Sequence, residues 1–230
     1  GYRAVRGLGP WKRHGAVSDE RLRRQRTVCV RQQNETFKRI GTAAQRAAYR
    51  RKGAIRLEWS IRDAVTGDAA QILAIYAPYV TDTCVSFETE VPSVEEFTRR
   101  ISEILKSYAY LVCEARGEIV GYAYAGSHRS RPAYRFSAEP SVYIKREYHR
   151  QGIGRALYQR LIARLRERGY YTLCAGVALP NEGSVGLHHA MGFRDIGVYH
   201  NIVYKLGEWR DTLWMEMPLR DYGAPPAETR

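Results

Sequence analysis

The stretch Ser141 to Gly169, SVYIKREYHRQGIGRALYQRLIARLRERG, sets what this chain can fold into. It runs from an apolar strand through a basic glycine turn into an amphipathic helix. Val142, Tyr143 and Ile144 deliver the chain into a turn where Gly152 and Gly154, lacking Cβ, let backbone N–H groups approach an anion closely. The helix then begins with its positive dipole end facing that anion. From Ile153 onward, apolar residues recur at Ala156, Leu157, Leu161, Ile162 and Leu165, the three-and-four spacing of one buried face. Arg155, Arg160, Arg164, Arg166 and Arg168 take the remaining positions, and Gly169 ends the helix. Taken alone, this is a phosphate cradle that many nucleotide-binding α/β folds share.

The elements around it follow from periodicity and turn chemistry. Ser60 to Ala64 reads as a first strand, and Thr66-Gly67-Asp68 as a turn and helix cap. A helix from Ala69 places Ile72, Leu73, Ile75, Tyr76 and Tyr79 on one side, with Pro78 helping to stop it. Cys84 to Glu90 reads as an extended loop or strand placed to line a cleft, and Pro92-Ser93 caps a helix from Val94 to Leu105. Tyr108–Glu114 and Ile119–Gly126 form a hairpin, and a basic loop, Ser127 to Phe136, leads to a central strand from Ala138 to Ile144. After the helix come a strand, Tyr171–Val177, and a helix of about two turns, Val185–Met191. A strand to about Tyr199, a loop through Gly207-Glu208-Trp209 and a last strand, Thr212–Pro218, follow. This order describes an α/β sandwich around a mixed sheet.

Charge divides the chain. Of 37 Lys and Arg and 24 Asp and Glu, residues 1–55 carry 15 and 3, which leaves residues 56–230 nearly neutral. The chain therefore reads as a basic extension over 1–55, disordered or partly helical between Glu35 and Lys52, one domain over 56–222, and a disordered tail over 223–230 that contains Pro225-Pro226. The extension could contact nucleic acid or an anionic membrane, or be a solvated tail. It also vaguely resembles an organellar transit peptide, but Ser18 is its one serine. Cys29, Cys84, Cys113 and Cys174 contain no C-x-x-C pair, which fits reduced cytoplasmic thiols and argues against zinc or a disulfide framework. No apolar run approaches the ~20 residues that span a bilayer.

The stretches SFETE, YAYAG, R-x-R-x-A-Y, SAEPSVYI, HRQGIG, LPNEGSVGLHHAMGF and G-E-W-R-D stand in that order between about residues 60 and 219. Together they resemble the GNAT N-acetyltransferase superfamily, and within it the phosphinothricin and methionine sulfoximine/sulfone acetyltransferase branch. The resemblance implies the GNAT fold, a mixed and mostly antiparallel sheet with helices on both faces. It implies acetyl-CoA as cosubstrate, no metal, a small amino acid acceptor and a homodimer.

It also implies roles for residues. The pyrophosphate would lie on the N–H groups of Arg150, Gln151, Gly152, Ile153, Gly154 and Arg155, with His149 where the family usually has Gln or Arg. Val142, Tyr143 and Ile144 would bind pantetheine as an added strand would. Asn181 and Ser184 would contact the cofactor from the other side, or cap a helix. Glu139 stands where the branch places a general base, and His188 where many relatives carry a tyrosine acid; their division of labour is open. His188 could instead be a packed helix histidine, and His189 has no family counterpart. Arg129, Arg131 and Tyr134 would hold acceptor oxygens, with Phe87 and Glu88 completing the pocket. Phe87 as a core aromatic and Arg129 as surface charge are the plain alternatives. A second functional reading has the basic extension recruiting the domain to a ribosomal, protein or RNA amine.

Overall fold

The computed structural model describes residues 58–223. The extension expected over 1–55, its possible helix between Glu35 and Lys52, and the tail from residue 224 lie outside these residues. Within them the chain runs β1 (Trp59–Asp63), α1 (Ala69–Thr81), α2 (Val94–Ser107), β2 (Tyr110–Ala115), β3 (Glu118–Ser127) and β4 (Ser137–Ile144). It continues through α3 (Ile153–Glu167), β5 (Thr172–Ala178), α4 (Glu182–Met191), β6 (Arg194–Lys205) and β7 (Glu208–Pro218). The seven strands lie in the order β1-β2-β3-β4-β5-β7-β6. Every neighbouring pair is antiparallel except β4–β5. This is the mixed, mostly antiparallel sheet expected from the sequence.

Strand alternation divides the core between the faces. On β2, Leu111, Cys113 and Ala115 pack with Leu157, Leu161 and Leu165 of α3, whereas Tyr110 and Val112 pack with Ile72, Tyr76, Phe97 and Ile101 of α1 and α2. The apolar face of α3 is buried as its spacing requires, and Tyr158 joins it at 1 % exposure. Each such aliphatic side chain contributes about 1.5–3 kcal/mol by leaving water. At the start of α2, Ser93 accepts the Glu96 N–H, which is the cap read from the sequence.

Of the two readings given for Cys84 to Glu90, loop or strand, the structure has the loop, a run of bends between α1 and α2. Two other expectations need correction. Pro78 does not stop α1 at its own position: the helix runs on for three residues, to Thr81. The strand expected to end near Tyr199 instead continues to Lys205, and Glu208 and Trp209 belong to β7 rather than to a loop. Pairing slips between Tyr199 and Val203 and then resumes at Val203↔Arg210, Tyr204↔Trp209 and Lys205↔Glu208. Asn201, with φ 51°, turns the bulge and donates its N–H to Asp211 Oδ1 at 2.8 Å. The hairpin turn follows at Leu206 and Gly207, both with positive φ. Leu at such a position carries no turn signal, which conceals the hairpin in the sequence. No described helix is long and apolar enough to cross a membrane.

Two glycines of β3 differ in a testable way. A Cβ on Gly121 would lie 3.1 Å from Ile144 Cγ1 and 3.2 Å from the Tyr143 carbonyl oxygen, whereas one on Gly126 would meet nothing within 4 Å. Gly121→Val is expected to destabilise the fold by about 1–3 kcal/mol through overpacking against backbone, and Gly126→Ala to leave it nearly unchanged. Urea midpoints of the two variants check this.

Candidate active site

The sheet opens along β4. It pairs with β3 from Ser137 to Ile144, but with β5 only through Ser137↔Thr172 and Ala138↔Leu173, while β5 stays with β7 as far as Ala178. A gap therefore widens beyond Pro140. The Lys145 N–H bonds the Val120 carbonyl on β3. Antiparallel alternation then turns the backbone groups of Val142 and Ile144 into the gap and those of Tyr143 toward β3. The Ile144 carbonyl is already occupied, accepting from Tyr79 Oη at 2.6 Å and from His149 Nε2 at 3.0 Å. Val142 and the Ile144 N–H are left to meet a ligand. The Tyr143 ring packs edge-on against Tyr76 and Tyr79 on the other face.

At the wide end of the gap lies the glycine turn. Arg150 and Gly152 both have positive φ, 62° and 83°, and α3 starts at Ile153 with no side-chain cap. Its first N–H groups have neither intrahelical nor side-chain partners. Arg150, Gln151, Gly152 and Arg155 are exposed, whereas Ile153 and Gly154 are buried. Gly154 serves packing: a Cβ there would come within 3.1 Å of Ile144 Cδ1 and 3.5 Å of Leu187 Cδ2, wedging α3 away from β4 and α4. An uncapped helix start, backbone donors and two arginines form a donor set suited to a pyrophosphate.

Across the gap, Asn181 caps α4 by accepting the Ser184 N–H at 3.1 Å, which commits its Oδ1, though not its Nδ2, to the helix. Ser184 presents its carbonyl to His188 Nδ1 at 2.8 Å and its hydroxyl oxygen at 3.4 Å. His188 is 4 % exposed, wedged edge-on between Tyr158 and Phe193, with Nε2 3.0 Å from Tyr158 Oη. Burial depresses its pKa below the ordinary histidine value, only partly opposed by the Ser184 carbonyl. Neighbouring His189 is exposed and pairs with Asp195 at 2.7 Å, a surface contact.

Glu139 lies at the narrow end of the gap, on the opposite face of β4 from Ala138, and its side chain is 34 % exposed. His128 Nδ1 donates to its Oε1 at 2.6 Å, and Arg129 Nη1 approaches at 3.5 Å. Arg129 also lies 5.4 Å over the Trp214 ring, and His128 meets Trp214 and Tyr134 edge-on. Arg129 and Tyr134 thus join Glu139 as the sequence suggested. Arg131 is exposed, and its side chain makes no hydrogen bond or ion pair among the described residues. Phe87 is 46 % exposed, which rules out the core-aromatic alternative. Glu88 accepts from Arg100 at 2.6 Å and from Tyr76 Oη at 3.1 Å, and it faces a small cleft shared with Phe97, Tyr110, Tyr122 and Tyr124. A roomier cleft lined by Asp63, Tyr108, Arg164, Glu167 and Arg168 contains none of these groups, and in it Arg164 pairs with Asp63 and Glu167.

Several contributors escaped sequence reasoning. Tyr158 was legible as a core position, being in step with Gly154, Leu161 and Leu165, but nothing local marks its hydroxyl as a partner of His188. Trp214 lies 75 residues from Glu139 along the chain, so only topology brings it near, and Arg100 reaches Glu88 from α2. On β7, Arg210 Nε, Thr212 Oγ1 and Trp214 Nε1 are buried without a hydrogen-bond partner among the described residues, three polar atoms on one face of a strand.

Residues 61–214 match the family described as Acetyltransferase (GNAT) domain. The chain is 40% identical over 166 residues to phosphinothricin N-acetyltransferase of Alcaligenes faecalis, covering 71% of this chain and 84% of that protein. It is 32% identical over 169 residues to the L-methionine sulfoximine/L-methionine sulfone acetyltransferase of Salmonella typhimurium, covering 73% and 99%. A crystal structure of a phosphinothricin acetyltransferase from Sinorhizobium meliloti in complex with AcCoA superposes with a TM-score of 0.71 at 36% identity, covering 74% of this chain and 94% of that one. The gap beside β4, the uncapped turn at its wide end and these similarities lead to one conclusion: the chain belongs to the GNAT acetyltransferase family.

Proposed function

We propose that this protein transfers the acetyl group of acetyl-CoA to the α-amine of a small amino acid analogue of the phosphinothricin or methionine sulfoximine/sulfone type. The observation that carries the reading is the placement of Glu139 at the narrow end of the β4–β5 gap, held by His128 and Arg129, with an uncapped anion cradle at the wide end. The named relatives support the acceptor class. Acetyl-CoA, when bound, supplies a thioester carbonyl open to attack.

The chain's own residues then have distinct tasks. The turn from Arg150 to Arg155 holds the pyrophosphate, and the Val142 and Ile144 backbone aligns pantetheine. Asn181 and Ser184 flank it from α4, the former by fixing the helix start. Glu139 takes the proton that an ammonium must lose before it can attack. Arg129 and Arg131 supply guanidinium forks for the acceptor's oxygens, with Tyr134, Phe87 and Glu88 around them. His188 serves the later proton movement.

We further infer a homodimer. The sheet ends in β6, a 12-residue edge strand whose unpaired backbone edge lies beside exposed Ile196, Val198, Tyr199, Ile202 and Tyr204. A long apolar edge of this kind invites pairing with a second copy. Cytoplasmic residence fits Cys84, Cys113 and Cys174, which are free thiols.

Glu139→Gln is expected to lower kcat by about 100-fold or more, the usual worth of a general base, while acetyl-CoA affinity stays within about twofold. Steady-state kinetics over phosphinothricin, methionine sulfoximine and methionine sulfone, together with calorimetric titration of acetyl-CoA, separate these effects. Loss of acetyl-CoA binding in the variant contradicts the base assignment, and absence of CoA release with all three amines contradicts the acceptor class. Ile202→Glu is expected to shift the protein from dimer to monomer in sedimentation velocity. A wild-type protein that sediments as a monomer at micromolar concentration contradicts the pairing.

A further inference from the structure

His188 cannot touch a ligand in the gap directly. Its Nδ1 lies 2.8 Å from the Ser184 carbonyl, which only accepts, so Nδ1 carries a proton. A neutral imidazole then has a bare Nε2, and the group 3.0 Å from it is the Tyr158 hydroxyl, which donates to it. Both ring nitrogens are therefore occupied. Tyr158 Oη has one further neighbour among the described residues, the Pro140 carbonyl at 3.4 Å. Pro140 lies two residues past Ala138, where the β4–β5 pairing ends, so the hydroxyl stands where the gap begins. Tyr158 is 1 % exposed and its ring is fixed by His188 and Phe193.

We propose that Tyr158 is the group through which His188 reaches the reacting atoms, the pair forming a relay that carries one proton from the attacking nitrogen to the departing sulfur. The proposal rests on the acetyltransferase reading above and assigns the proton traffic that the presence of both Glu139 and His188 left open. Glu139 takes the first proton, converting the incoming ammonium to free amine, and releases it to solvent from its exposed side. As the amine nitrogen bonds to the acetyl carbon, it gives its next proton to Tyr158 Oη, and Oη passes its own to His188 Nε2. The imidazolium so formed is held by the Ser184 carbonyl on Nδ1 and by the phenol oxygen on Nε2. When the C–S bond breaks, its electron pair stays on sulfur. Nε2 then returns its proton to Oη, and Oη gives its proton to the sulfur. Ammonium and thioester have become amide, thiol and one solvent proton, and Tyr158 and His188 end as they began.

The electrostatics suit this direction of flow. Burial depresses the His188 pKa, so the imidazole is neutral at pH 7 and able to accept, while burial holds the Tyr158 phenol well above its ordinary range and keeps it protonated. A histidine whose folded-state pKa is lowered gains its charge only below the ordinary value near 6.5. The relay therefore fails on the acid side.

Two measurements on the full chain test the proposal. In the free wild-type protein, 15N-histidine NMR, assigned with His188→Gln, should show His188 neutral at pH 7 with the proton on Nδ1. In turnover, Tyr158→Phe should lower kcat by about 100-fold with acetyl-CoA affinity unchanged within about twofold. The dependence of kcat on D2O fraction should be bowed in wild type, as two protons move together, and straight in Tyr158→Phe. A proton on Nε2 rather than Nδ1 overturns the relay, as does a Tyr158→Phe enzyme with wild-type kcat, or a straight dependence in both proteins. The NMR readout needs no acceptor amine, so failure to acetylate any amine overturns the proposed function while the relay is still judged by the tautomer.

Discussion

The pairing of β4 with β5 lasts for two residues, and much of the rest of the domain is arranged around its failure to continue. A parallel strand pair that parts leaves backbone donors and acceptors facing a gap, where an unsatisfied buried amide costs about 1–3 kcal/mol. Tyr79 and His149 take up the Ile144 carbonyl. The groups left over are those an extended ligand can satisfy. The cost of keeping the strands apart is met by the core beneath them: Ala138, Val142 and Ile144 rest on α3, whose face from Ile153 to Leu165 is buried almost without remainder. The same helix that supports the split carries the anion cradle at its first residue. Packing and binding are therefore coupled at Gly154, where a Cβ would disturb both.

The fold was legible wherever local chemistry and periodicity agreed. The three-and-four spacing of α3, the Ser93 cap of α2 and the Tyr- and Val-rich hairpin of β2 and β3 all lie where their sequences placed them, to within a few residues. The last hairpin was illegible for a physical reason. Its turn places Leu206, a residue type that carries no turn signal, at φ 53°, and its bulge places Asn201 at φ 51°, where asparagine reads as a turn that ends the strand rather than as a bulge within it. Tertiary contact supplies the difference. Asp211 receives the Asn201 N–H and faces His200 Nδ1 at 3.1 Å, fixing the slip in register from the opposite strand.

The candidate site divides in the same way. Glu139 and His188 could be singled out through the family resemblance of the stretches that hold them, SAEPSVYI and LPNEGSVGLHHAMGF. What the sequence withholds is their partners. His128 reaches Glu139 because β3 and β4 pair at Gly126↔Glu139, and His128, two residues beyond Gly126, is the diagonal neighbour of Glu139 on the same face. Trp214 reaches the same spot from β7 because β7 inserts between β5 and β6. Asn181 shows the opposite limit. Its residue type fits both a ligand contact and a helix cap, and in the structure its Oδ1 makes the cap while its Nδ2 takes no part in it.

The loop before α2 and the hairpin of β6 and β7 are joined across the cleft by a buried charge. Lys205, 5 % exposed, donates to the Ser86 carbonyl at 2.8 Å, and burial lowers its pKa even though the Glu88 carboxylate favours its charged form. An ammonium out of water with one carbonyl partner is poor value as a source of stability, since desolvation costs several kcal/mol. Its effect is geometric. Ser86 also meets Tyr76 Oη at 2.6 Å through its hydroxyl, and Tyr76 reaches Glu88, which in turn holds Arg100 of α2. One chain of contacts therefore runs from the hairpin tip through the loop to both helices on that face. The loop that carries Phe87 and Glu88 has no strand or helix of its own to fix it. Its position relative to Glu139 depends on that chain, and the strained hairpin turn is what brings Lys205 to the end of it.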